Sequence, residues 1–153
     1  MSQVLIGLST WLHALATAVL IGHYLLLSVL YLPVLGKNNG QALSEISKRS
    51  RPWLYASLLV FAITGTYLML IDPLYLGFMK FTNFWGAMMF TKHILIFVML
   101  GLGFWYNAIL RVGPMMASNN NAELGIQRFR QYSNLMAITG LLVLLLTALA
   151  QVP

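Results

Sequence analysis

The chain has 153 residues, of which 59% are hydrophobic and only 8% charged. Soluble domains carry about a quarter charged residues, so the composition describes an integral membrane protein, with residues 1–153 forming a single domain. The formal charge of +6 comes with no basic and aromatic patch, which leaves nucleic acid out as a partner, and the absence of cysteine excludes disulfides, thiolate metal sites and cysteine nucleophiles.

A spanning helix needs about 20 mostly apolar residues, and four runs qualify. The first covers residues 4–35 and contains Trp11, His13 and His23. It is too long for a cleaved signal, and no small-residue cleavage site follows a short apolar core, so it reads as a retained helix. The connection 36–52 (GKNNGQALSEISKRSRP) carries Lys37, Lys48, Arg49 and Arg51 against Glu45. The second run, 53–71, leads into a connection, 72–83, whose charges are Asp72 and Lys80. The third run, 84–110, contains Lys92 and His93. The connection 111–134 carries Arg111, Arg128 and Arg130 against Glu123, and its part 123–132 reads as a short interfacial helix with Arg128 and Arg130 facing headgroups. The fourth run covers 135–150.

Short connections make neighbouring helices antiparallel, so the expected fold is all-α, an up-down four-helix membrane bundle. Cations concentrate in the first and third connections. The positive-inside rule makes those cytoplasmic and places both termini outside the cytoplasm, in a multi-pass protein of the cell inner (cytoplasmic) membrane. Trp11 and Trp85 then fall near the outer interface, Trp53 and Trp105 near the inner one, as an aromatic belt requires.

Ionisable side chains inside a bilayer tend to face the bundle interior and to carry function. Here they are His13, His23, Lys92 and His93, and the three histidines are all that the chain has. The spans hold no carboxylate, no Ser/His/Asp set and no phosphate loop. Neutral imidazole is the commonest metal ligand, bundles build cofactor sites from facing side chains, and haem iron accepts two axial imidazoles. A haem held by two helices is therefore the leading reading, with His13 and His93 as iron ligands and His23 as the alternative ligand.

The choice of pair depends on depth. At about 1.5 Å per residue, measured from the middle of each run, His13 lies about 10 Å outward, His93 about 6 Å outward and His23 about 5 Å inward. Measured from Trp11 and Trp85, His93 falls slightly nearer His23. Lys92 finds no carboxylate at its depth, and a haem propionate would supply one. Met89 stands one turn before His93, and thioether with imidazole suits Cu(I), so a copper ion is the alternative cofactor.

The run WLHALATAVLIGHYLLLSVLYLP, with His13, Gly22 and Leu32-Pro33, resembles the first helix of the CopD-like membrane superfamily, which includes CopD copper-resistance domains and HemJ-type protoporphyrinogen oxidases. SRPWLYASLLVFAITGTYLML, with Thr64-Gly65, resembles its second helix. FTKHILIFVMLGLGFWYN resembles its Lys-bearing third helix, with Lys92 in that place. The resemblance implies a four-helix bundle and, in the HemJ branch, haem b bound through His13 with Lys92 also functional. Val34 stands where HemJ proteins carry arginine after Tyr-Leu-Pro, and His23 and His93 are additions to the pattern. These departures turn the expectation from porphyrinogen oxidation toward electron transfer through a bis-imidazole haem b, exchanging electrons with a quinone or a membrane redox partner. HemJ-like oxidase activity, CopD-like copper handling, and an accessory subunit whose histidines bind chlorophyll magnesium remain the alternatives, and the bundle could assemble as a homo-oligomer.

Overall fold

The first apolar run forms one continuous rod, α1 (Gln3–Leu35). Its turns widen to π geometry over Leu27–Tyr31, where the N–H of Leu32 reaches back five residues to Leu27 O. Pro33 follows at once. Its ring has no N–H for Val29 and crowds that carbonyl, and a widened turn relieves the clash. In the computed structural model, which describes residues 3–35, 40–73, 77, 84–109, 112–116 and 122–150, the other elements are α2 (Gly40–Ile71), α3 (Phe84–Phe104, extended by a second π segment, Trp105–Ile109), the short α4 (Val112–Met116) and α5 (Ala122–Leu149). The described residues contain no strand. The four long helices, α1, α2, α3 and α5, are each long and apolar enough to cross a membrane. Lys37, Lys80 and Arg111 lie outside the described residues.

Two boundaries differ from the sequence expectation. The second helix begins at Gly40 and passes through Pro52 without a break, so most of the cationic first connection is helix. Helix-breaking prolines are tolerated in such spans because neighbouring groups re-satisfy the freed backbone. On the exposed part of this helix Arg49 Nε donates to Glu45 Oε1 at 2.8 Å, a solvent-screened surface pair that contributes little to stability. The stretch 123–132 is likewise no separate interfacial helix. It forms the first turns of α5, with Gly125, Phe129 and Tyr132 buried. With 32 and 28 residues, α2 and α5 are about 48 and 42 Å long, against a hydrocarbon core of about 30 Å. Both helices run on past the apolar layer at the end where Lys48, Arg49, Arg51, Arg128 and Arg130 collect.

Lipid offers no hydrophobic drive between helices, so spanning helices associate through small and polar residues. The buried stripe of α5 shows this: Gly125, Phe129, Tyr132, Ser133, Met136, Ala137, Gly140 and Val143 recur at helical spacing. Leucines 135, 141, 142, 144 and 145 turn outward. A Cβ on Gly140 would stand 2.9 Å from Ile21 Cγ2, so α1 and α5 approach as closely as glycine allows. Helix α1 packs along α2 and against α5, α3 packs on α5, and α4 wedges against α5 and α2. Neither α2 with α3 nor α1 with α3 packs comparably, so the bundle is open along the α2/α3 seam. Trp11, Trp53 and Trp105 are exposed as a belt requires, but Trp85 is buried and belongs to the packing.

Candidate functional site

The antiparallel register divides the bundle into two levels. At one, His13 of α1 meets α2. Its Nδ1 lies 3.0 Å from Thr64 Oγ1, and its ring stacks on Phe61 with centroids 4.5 Å apart. Thr64 is buried, and its hydroxyl donates to Val60 O at 2.6 Å. With that proton committed, Thr64 Oγ1 is an acceptor toward His13, and Nδ1 carries the imidazole proton. The lone pair is left on Nε2, the arrangement of a ligating histidine whose other nitrogen is fixed by a hydrogen-bond acceptor. Gly65 makes the fit possible, because a Cβ there would come within 2.9 Å of His13 Cε1.

His93 has the same polarity by a different route. Its Nδ1 lies 2.6 Å from Met89 O. A carbonyl only accepts, so Nδ1 again holds the proton and Nε2 the lone pair. It is the backbone carbonyl of Met89 that meets His93 here. The two depth rulers can now be separated. Tyr24 meets Tyr132, Ile21 meets Gly140, and Tyr106 stacks on Tyr132. Carried from His13 across α5, this register arrives at the Thr91-Lys92-His93 triplet of α3. By this register His13 lies nearer than His23 to the level of Lys92 and His93, and His23 lies about 15 Å along α1 from His13. Lys92 is half-buried, and no carboxylate among the described residues pairs with it.

His23 occupies the other level. Its Nε2 lies 3.3 Å from Ser50 Oγ, and its ring meets Tyr24 edge-on at 5.3 Å. Tyr24 and Tyr132 share a hydroxyl hydrogen bond of 2.8 Å, and Tyr106 stacks on Tyr132 at 4.7 Å. Beside this cluster is a cavity of about 170 Å³ with walls from all four long helices, including His23, Ser50, Tyr24, Tyr132 and Phe61. His13, Lys92 and His93 do not line it. Sequence reasoning missed the tyrosines. The available signal was Tyr24 itself, a phenol in mid-span whose hydroxyl needs a partner in lipid.

His13 on α1 and His93 on α3 each keep a lone pair on Nε2, and Lys92 is a cation beside His93 in sequence; imidazole nitrogens are donors that could hold a haem iron or another metal. Among the described residues no three His, Asp or Glu side chains converge as a metal-ion site. No family model, no curated protein and no solved structure matches the chain.

Proposed function

We propose that this is a haem b-binding membrane protein of the CopD-like kind that carries electrons through a bis-imidazole site, with His13 and His93 as the ligating residues. The observation that carries the reading is the His13 environment, in which Thr64, Phe61 and Gly65 hold the ring with its Nε2 lone pair presented. The second support is Lys92, an intramembrane cation next to His93 that pairs with no carboxylate among the described residues. A haem held by both imidazoles would supply one-electron transfer. The chain's residues supply the rest: Thr64 fixes the His13 tautomer, Phe61 fixes its ring plane, and Lys92 would hold an anionic substituent of the group.

The purified protein should be coloured, with a Soret band and sharp α/β bands on reduction. Lys92→Gln should lower haem retention with the spin state unchanged, because the residue acts on the periphery. A colourless protein holding stoichiometric copper would overturn the reading in favour of copper handling.

The protein sits in the cytoplasmic membrane with the His23 end inward, on the strength of the cations collected there. Cysteines placed at Asn39 and Asn119 should react with impermeant reagents only after the cell is opened. Labelling of intact spheroplasts at either position would reverse the orientation.

A further inference from the structure

The cavity at the His23 level is too small for a porphyrin. An engineered protein cavity of about 150 Å³ binds benzene, so about 170 Å³ admits one substituted six-membered ring. Most of its wall is apolar, aliphatic side chains such as Leu20, Leu54, Leu58 and Ile96 alternating with aromatic rings such as Phe61 and Phe104, which suits a flat apolar ligand.

The polar groups on the wall include two pairs, His23–Ser50 between α1 and α2 and Tyr24–Tyr132 between α1 and α5, with Arg51, Tyr55, Ser47 and Thr17 also lining the space. Imidazole and hydroxyl groups can each donate or accept, Arg51 only donates, and no carboxylate lines the space. Such a wall serves a ligand whose ring oxygens accept hydrogen bonds in one state, from Arg51 among others, and donate them to the imidazole and hydroxyl groups in another. The open α2/α3 seam gives a lipid-dissolved molecule a lateral way in, with space for a tail to remain among the acyl chains. Two π segments, Leu27–Tyr31 and Trp105–Ile109, flank this level on α1 and α3, and π segments are frequent at functional sites.

We propose that the cavity enclosed by the four long helices binds the ring of a p-quinone or its quinol, beside the His23–Ser50 and Tyr24–Tyr132 pairs. This deepens the electron-carrying reading by naming the partner, and it rests on that reading only for its purpose, since binding needs no haem. Phe61 joins the two levels, because its ring lines the cavity and stacks on His13. An acyl chain is the competing occupant, but it would leave two polar pairs facing hydrocarbon.

The test is equilibrium dialysis of duroquinone against the full chain in nanodiscs, with and without haem. Saturable binding of one duroquinone per chain is expected in both preparations. Leu58→Trp fills the cavity and should abolish binding. Leu59→Trp, on the exposed neighbour, should leave binding intact and controls for folding. Tyr132→Phe and Ser50→Ala keep the shape and should each weaken binding by up to about tenfold, the equivalent of one hydrogen bond. Binding that does not saturate, that survives Leu58→Trp, that dodecane displaces, or that Leu59→Trp abolishes would overturn the proposal. Retention by a haem-free preparation decides this inference apart from the haem reading.

Discussion

The His13 end and the His23 end are built from the same kind of residue in opposite ways. At the His23 end the protein packs on itself: Leu27, Leu32, Leu43, Val112, Phe129, Tyr132 and Met136 form one buried cluster, the tyrosines pair, and α4 closes the bundle. At the His13 end the buried side chains include Ala16, Thr64 and Trp85, and the notable groups are an aimed imidazole and a cation with no carboxylate. A membrane bundle gains little by burying apolar surface, so where side chains do interlock, they do so through hydroxyls, small residues and aromatic stacking. Where the polar groups do not satisfy each other, they are arranged for something else. The two histidines of α1 are thus held differently: His23 belongs to a hydrogen-bonded wall, and His13, fixed by Thr64 and Phe61, is the one proposed as a haem ligand.

That contrast can be broken by substitution. The largest effect is expected at Gly65, where a leucine would drive side-chain atoms into the His13 ring. Haem content of purified Gly65→Leu should fall by an order of magnitude while helicity by circular dichroism persists. Unchanged haem content would mean that the His13 pose is irrelevant to the group. Next is Gly140→Ala, which pushes a methyl against Ile21 at the α1/α5 contact. Overpacking of this kind costs about 1–3 kcal/mol, to be read from unfolding in mixed micelles, with the haem spectrum retained.

Smaller effects sharpen the account of the tyrosine wall. Removing the Tyr24–Tyr132 hydrogen bond should cost about 0.6 kcal/mol, the average for interhelical bonds in a bilayer. In a double-mutant cycle, Tyr24→Phe and Tyr132→Phe should couple by about that amount. A zero coupling energy would mean the hydroxyls do not bond in the membrane. The smallest effect is expected at Ser133, fully buried with no hydrogen-bond partner for its hydroxyl among the described residues. Ser133→Ala removes an unsatisfied polar group, so stability should stay level or rise by about 1 kcal/mol. A clear loss would reveal a partner for the hydroxyl, such as a bound water.

Much of this was legible in the sequence, and what was not has a physical cause. Hydropathy finds the runs that face lipid, so the four spans and the three intramembrane histidines could be read directly. The same measure is blind to inward faces made of Ser133, Ala137 and Gly140, and so it took the polar start of α5 for an interfacial segment. The cations and Pro52 concealed the early start of α2, because charge and proline mark loops in water but not in a helix that runs beyond the bilayer. Depth was ambiguous because α1 is longer than the membrane is thick, and only cross-helix contacts set its register against α3. The Thr64–Gly65 pair was visible only as part of a family likeness. Its purpose, fixing one proton and clearing one ring, needed the fold.

The central claim is that the His13 level, and not the His23 level, ligates haem iron. The most direct test is the ferric spin state of the wild-type protein beside His13→Ala, His93→Ala and His23→Ala, by absorption and electron paramagnetic resonance. The account predicts a low-spin wild type, loss of haem or conversion to high spin in His13→Ala and in His93→Ala, and a nearly unchanged signal in His23→Ala. Loss of the low-spin signal in His23→Ala with its survival in His13→Ala would contradict it and move the iron to the other end of the bundle.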